Sequence, residues 1–265
     1  MHKKLIINAD DFGLDNDVNI AIIELASKKA ITSTTIMANL QFSGFLDKLK
    51  ETYIGIGLHL NLIEGKPLSA INDVFSLVDE HGNFKNLYQL LAGFMSGKIK
   101  KLHLEKEISA QIGLLNYYGI QLTHADSHKH IHQLPGLGPF ICKVLNKKGV
   151  KKIRNCSPTS INSVQMLSVK AFSAVTKNQL SGFNFPEKMF SFFSTHTNGN
   201  YSNFISSLKA AFCKYNSIEI MTHPGLENKN GSYLNRKAEY YFLNKLPDLL
   251  ASDLPDVQLI NYKQL

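Results

Sequence analysis

The sequence has no tryptophan, only three cysteines and only two arginines, Arg154 and Arg236. The cysteines (Cys142, Cys156, Cys213) are odd in number, far apart and free of any CxxC pairing, which argues against a disulfide framework or a structural zinc cage. They read as reduced, packed thiols. No apolar run approaches the roughly 18 residues of a membrane span. The opening Met1-His2-Lys3-Lys4-Leu5-Ile6-Ile7-Asn8 holds too short an apolar stretch for a secretory signal, so a cytoplasmic location is expected. The scarcity of arginine matters beside a net charge of +8, because phosphate and base recognition favour arginine forks. The lysines fall in short scattered pairs such as Lys28-Lys29 and Lys147-Lys148, which reads as a solvated surface. Neither a nucleic-acid nor a membrane partner is expected.

Several motifs are also missing. Gly55-Ile56-Gly57 is no dinucleotide fingerprint, because Leu60 stands at the third glycine position. Asp15-Asn16-Asp17-Val18-Asn19 begins like a calcium loop, but Ile20 replaces its glycine and Ala26 its closing glutamate. No nucleophile-elbow serine or Walker loop occurs. These absences count against dehydrogenases, serine hydrolases and kinases.

What remains is alternation. Leu5–Ala9 reads as a buried strand, followed by a helix with Val18, Ala21, Ile22 and Leu25 on one face and Asp15, Asn16 or Asp17 as its cap. Further strands are expected at Thr32–Ala38, Ile54–Leu62, Gln121–Asp126, Lys151–Asn155, Met189–Thr195, Ile218–Thr222 and Val257–Tyr262. Helices are expected around Phe42–Lys50, Tyr88–Met95, Leu102–Tyr118, Gly138–Lys147, Val164–Lys177, Tyr201–Lys214 and Asn235–Leu250. Strands alternating with helices imply a parallel sheet with crossover helices. The expectation is an α/β fold, a distorted TIM-like (β/α) barrel of seven to eight parallel strands. It occupies 1–265 as a single catalytic domain, with an irregular helical insertion around 63–118.

On this map the polar residues gather at strand ends. Asp10 and Asp11 follow the first strand, His59 ends the third, Asp126 and His128 the fourth, Arg154 the fifth, and His223 follows the penultimate one. In a barrel these ends share one rim. Side chains alternate along a strand, so Asp10 and Asp11 diverge unless the backbone turns, and Gly13 permits a turn. One carboxylate can then ligate a metal while the other meets a water; the plainer alternative is a helix cap. Four histidines and an aspartate fall within His124–His132, too many for one metal, so two or three act directly and the rest support them. His59 could be a core histidine. His223, before Pro224-Gly225, sits at a corner suited to a general acid. Arg154 could orient a carboxylate, clamp substrate or form a structural ion pair. Carboxylate plus imidazole at one rim points to a metal-dependent hydrolase.

Five stretches in order resemble the YdjC-like carbohydrate deacetylases, a family that includes chito-oligosaccharide deacetylase. They are Asn8-Ala9-Asp10-Asp11-Phe12-Gly13, Thr32-Ser33-Thr34-Thr35, Gly57-Leu58-His59-Leu60-Asn61-Leu62 with Gly65-Lys66-Pro67-Leu68, Thr123 through His132, and Met221-Thr222-His223-Pro224-Gly225. The resemblance implies a distorted barrel and hydrolysis of an N-acetyl group from an amino sugar. It implies Asp11, His59 and His128 as ligands of one divalent ion, Mg²⁺, with Asp10 as the base. Arg154 would orient Asp10, and His223 would protonate the leaving nitrogen. Two imidazoles suit Zn²⁺ or another transition metal better than Mg²⁺ by ligand chemistry. Lys129 stands where the family often has a histidine. The implied partner is an acetylated amino sugar, and a homodimer is compatible with the sequence. The rival readings are a metal-dependent phosphoesterase and a non-catalytic carbohydrate-binding barrel.

Overall fold

The computed structural model describes residues 3–161, 164–191, 201–229 and 234–265. Among these, seven parallel strands form one sheet: β1 (Lys3–Phe12), β2 (Ser33–Ile36), β3 (Gly55–Leu60), β4 (Ala125–Ser127), β5 (Lys188–Ser191), β6 (Ser217–Thr222) and β7 (Val257–Leu259). The order is β4-β3-β2-β1-β6-β5, with β7 paired to the first residues of β1. Crossover helices supply the layer around it: α1 (Asn16–Ser27), α2 (Leu46–Lys50), α3 (Ile71–Val74), α4 (Leu87–Met95), α5 (Lys101–Tyr117), α6 (Leu137–Lys147), α7 (Val164–Val175), α8 (Tyr201–Phe212) and α9 (Arg236–Asp253).

The expected fifth strand at Lys151–Asn155 does not form a regular strand. That segment is held by isolated bridges, Ala125 to Ile153 on one side and Lys152 to Asn184 on the other, and Pro158 bridges Met189 further along. Its backbone bonds split between β4 and the approach to β5: Arg154 N donates to Ala125 O at 3.0 Å, and Ile153 N to Asn184 O at 3.1 Å. The segment nevertheless links β4 to β5, so β1 to β6 run in sequence order around a distorted, TIM-like barrel, with β7 set beside the start of β1. The strand expected from Met189 to Thr195 holds for Lys188–Ser191; residues 192–195 lie outside the described ones.

Local chemistry explains the elements. Asp15 is the helix cap among the three candidates, its side chain accepting from Val18 N at 2.9 Å. Val18, Ala21, Ile22 and Leu25 turn inward from α1 and are at most 1% exposed. Val18, Ile22 and Leu25 each contribute about 1.5–3 kcal/mol by leaving water. Asn86 and Gln89 form a reciprocal capping box on α4.

Strand alternation decides what lies inside the ring. Leu5, Ile7 and Ala9 of β1 join the large core shared with the helices, whereas Ile6 packs with Ile260 and Tyr262. Asn8 and Asp10 share the parity of Ile6 and therefore face inward. The same rule sends Leu58 and Ile220 to the helical core and brings His59 and Glu219 to the interior. The barrel floor is apolar and its upper interior is polar.

Candidate active site

The upper interior is organised around Arg154, which has no solvent exposure. Its guanidinium forms a two-pronged pair with Asp10, Nη1 to Oδ2 and Nη2 to Oδ1 each at 2.6 Å. Nε and Nη2 also donate to Glu219 Oε1 at 3.0 and 2.8 Å, and Nη1 lies 2.8 Å from Asp126 Oδ2. Burial disfavours this cation, but Asp10, Asp126 and Glu219 outweigh that and raise its pKa well above the usual value. Asp10 gains a further donor, Asn8 Nδ2 at 2.8 Å, and Tyr262 Oη donates to Glu219 Oε2 at 2.7 Å. Asp10 is therefore fixed in orientation.

Asp11 points elsewhere because its backbone does. The residue lies inside β1, not after it, and has a φ of 70°, with the strand register shifting between Ala9 and Phe12. A non-glycine residue in this left-handed region costs of order 1–3 kcal/mol. The turn that separates the two carboxylates is made at Asp11 itself, two residues before Gly13, which also has a positive φ, 103°. The result places Asp11 Oδ1 at 3.2 Å from His59 Nε2 and 3.3 Å from His128 Nδ1. Oδ1 is buried without a hydrogen-bond partner, and the three ligand atoms lie within 4.8 Å of one another. Burial would raise Asp11, but His128, His59 and Arg236 hold it well below the ordinary carboxylate range.

Each imidazole has a carboxylate behind it. His59 Nδ1 meets Asp126 Oδ1 at 2.7 Å, and His128 Nε2 meets Glu64 Oε2 at 3.1 Å. Burial works against a charge on His59, yet Asp126 and Asp11 prevail and push it up to about 10. Such pairing fixes which nitrogen carries a proton and which one faces the shared centre. An orphaned carboxylate oxygen facing two converging nitrogens fits a divalent ion. Atoms bound to a common ion at about 2.0–2.2 Å stand only a little over 3 Å apart, as Asp11 Oδ1 does from each imidazole nitrogen. A second acid–histidine grouping, Asp10, His59 and Asp126, is also close, but Arg154 already neutralises its carboxylates.

The rest of the histidine cluster separates by surroundings. His124 stacks on Tyr262 at 3.7 Å between centroids and contacts Asn8 Oδ1 through Nε2 at 3.2 Å. A side chain on Gly57 would meet its ring at 2.6 Å, so that glycine makes room for it. His132 Nε2 contacts Arg154 O at 3.1 Å and Nδ1 contacts Ser127 Oγ. Burial pushes His124 down to about 3 and His132 to about 4, so both are neutral supports. The chain leaves strand geometry after Ser127, with Lys129 and His130 at φ of 52° and 56°. That turn brings His128 to the centre, while burial, with Arg154 and His132 adding to it, holds His130 well below the usual imidazole range.

His223 stands at the mouth, its Nε2 3.8 Å from Asp10 Oδ2, and burial pushes it down to about 4. All six sequence candidates (Asp10, Asp11, His59, His128, Arg154, His223) thus converge. Four residues were not anticipated: Glu64, Glu219, Arg236 and Glu239. Glu239, buried on the first turns of α9, accepts from His223 N at 2.6 Å, and burial pushes it up to about 8. Glu219 had a signal, a lone charge alternating inside Ile218-Glu219-Ile220-Met221. Arg236 and Glu239 had none beyond their position near a helix start.

The sequence matches the YdjC-like protein family over residues 4–247. The chain belongs to the YdjC-like family. Among curated relatives of this YdjC-like chain is a carbohydrate deacetylase of Geobacillus stearothermophilus, 32% identical over 170 residues, 63% of this chain and 66% of that protein. The chitooligosaccharide deacetylase of Serratia marcescens is 36% identical over 144 residues, covering 53% of this chain and 55% of that one. The aligned stretches thus span about half to two thirds of these relatives' own lengths. A crystallised Enterococcus faecalis V583 protein, described as a cellobiose-phosphate cleavage protein, matches with a TM-score of 0.79 and 25% identity over 100% of this chain and 99% of that one. No helix among the described residues is long and apolar enough to cross a membrane.

Proposed function

We propose that this YdjC-like barrel is a single catalytic domain that hydrolyses the N-acetyl group of an amino sugar or oligosaccharide with one divalent ion. The observation that carries the reading is the orphaned Oδ1 of Asp11, facing His59 and His128 beside a carboxylate held by Arg154. Curated deacetylase relatives support the substrate class. An ion held by Asp11, His59 and His128 would polarise the acetyl carbonyl and lower the pKa of water at neutral pH. The donor set of two nitrogens and one oxygen favours Zn²⁺ or another transition metal, while the family resemblance favours Mg²⁺.

The chain's own residues then divide the proton transfers. Asp10, locked by Arg154 and Asn8, takes the proton of the attacking water, a step typically worth about 10²–10⁴-fold. His223 delivers a proton to the nitrogen as the C–N bond breaks, giving acetate and a free amine. His223 is neutral in the resting site, so the proton it delivers is the one Asp10 has accepted 3.8 Å away. Asp126 and Glu64 hold the two imidazoles in their tautomers.

The test is acetate release from N-acetylated chito-oligosaccharides by chelator-stripped protein, with Mg²⁺, Zn²⁺, Mn²⁺ and Co²⁺ restored separately. Metal-dependent acetate that disappears in His128→Ala is the expected result. Phosphate or reducing-sugar release without acetate would sink the deacetylase reading.

A further inference from the structure

The two oxygens of Asp11 have opposite surroundings. Oδ1 faces the imidazole nitrogens of His59 and His128. Oδ2 accepts a 2.6 Å charge-assisted bond from Arg236 Nη2. Both side chains are almost wholly buried.

Arg236 is itself fixed from several directions. It opens α9, which Asn235 caps by accepting from Ala238 N at 3.1 Å. Its Nη1 reaches toward His223 O at 3.5 Å, and its own carbonyl accepts from Gly225 N at 3.2 Å. A side chain at Gly225 would stand 3.1 Å from Arg236 Cβ, so the glycine lets the His223-Pro224-Gly225 corner close onto it. The guanidinium is therefore pinned where it meets Oδ2.

We propose that Arg236 is a positioning residue that confines Asp11 to single-oxygen ligation. A charge-assisted bond on Oδ2 competes with any second contact to the ion. Asp11 then offers Oδ1 alone, and the coordination position that a chelating carboxylate would occupy stays open for substrate. The inference rests on the metal-dependent reading but not on the identity of the sugar.

The test is metal binding by the full chain without substrate. Co²⁺ would be titrated against a chromophoric chelator, and the visible cobalt spectrum recorded at saturation, for wild type, Arg236→Met and Arg236→Lys. Arg236→Met should gain about tenfold in affinity, because the freed Oδ2 adds a bond to the ion and a neighbouring positive charge is lost. Its cobalt bands should weaken as Asp11 chelates and the coordination number rises. Arg236→Lys keeps the charge but not the fork, so both signals should move the same way by less. It also decides the matter if the methionine variant fails to fold. Affinity within about twofold of wild type or below it in the folded variants, or an unchanged spectrum at saturation, would overturn the proposal. Wild-type protein that binds no metal would overturn this inference and the metal-dependent reading together. Wild-type protein that binds metal but releases no acetate would overturn the substrate assignment alone.

Discussion

Replacing Arg154 by methionine should cost folding stability in a way that reveals its cause through pH. The guanidinium is the cation that Asp10, Asp126 and Glu219 share, and all four side chains are at most 2% exposed. Methionine fills similar space but leaves three buried carboxylates without it. Breaking one buried pair typically costs about 3–5 kcal/mol, because an uncompensated charge remains. The folded variant escapes part of this by taking up a proton. Holding a carboxylate of ordinary pKa near 4.5 in its neutral form at pH 7 costs about 3.4 kcal/mol, at 1.36 kcal/mol per unit. Glu219 is the first candidate, since burial already raises it.

The sign follows from linkage. In the variant a folded-state carboxylate pKa lies above its unfolded value, so the folded state binds a proton the unfolded chain has released. The deficit relative to wild type should therefore be about 3–5 kcal/mol near pH 7. It should shrink by about 1.4 kcal/mol per pH unit toward pH 5 for each carboxylate involved. Urea unfolding followed by circular dichroism at several pH values, with wild type in parallel, measures this directly. A deficit below about 1 kcal/mol at pH 7, or one that ignores pH, would refute the argument that Arg154 acts by charge compensation.

Three further outcomes follow from the same geometry. Asp10→Asn should reduce acetate release by about 10²–10⁴-fold while metal affinity, read by calorimetry, survives; loss of the metal would make Asp10 a ligand. Glu64→Ala should weaken metal binding by no more than about tenfold, the low end for such partners, because the Glu64 side chain is 48% exposed and water can replace it behind His128. A loss as large as that of His128→Ala would contradict this. Wild-type stability should rise with pH between about 4.5 and 6.5. In that window the unfolded chain binds protons that His124, His132 and His223 refuse, partly offset by the one Glu239 retains up to about 8. Urea midpoints that stay flat or fall with pH there would show these histidines to be solvated.

Much of this was legible in the sequence because it follows from local pattern. The run Leu5-Ile6-Ile7 ahead of Asp10-Asp11, and the period-2 spacing of His124, Asp126 and His128, reveal strand ends carrying polar groups. The three-residue β4 and the bridged segment at Arg154 were less legible, since residues 151–155 look like a strand and pair like one only at isolated points. Which histidine faces the centre depends on two successive left-handed residues, Lys129 and His130, a conformation uncommon outside glycine. Arg236 meets Asp11 across 225 residues of sequence, and only the assembled barrel brings them together.

The charge balance of the interior leads to one more expectation. Four carboxylates (Asp10, Asp11, Asp126, Glu219) face two guanidiniums, Arg154 and Arg236. In the metal-free protein the difference falls to the imidazoles: His59 is pushed up to about 10, and His128 is also raised by Asp11 and Glu64 against the effect of burial. A histidine can bind a metal only through a deprotonated nitrogen, so the proton and the ion compete for the same place. A dication entering at neutral pH should therefore expel about one to two protons. Affinity should climb with pH toward the His59 value, whereas an ordinary imidazole of pKa about 6.5 would leave it level above neutrality. Calorimetric titration of Zn²⁺ in buffers of different ionisation enthalpy counts the protons. A count of zero near pH 7 would mean that the imidazoles are already neutral, and that the carboxylates behind them do not set their charge.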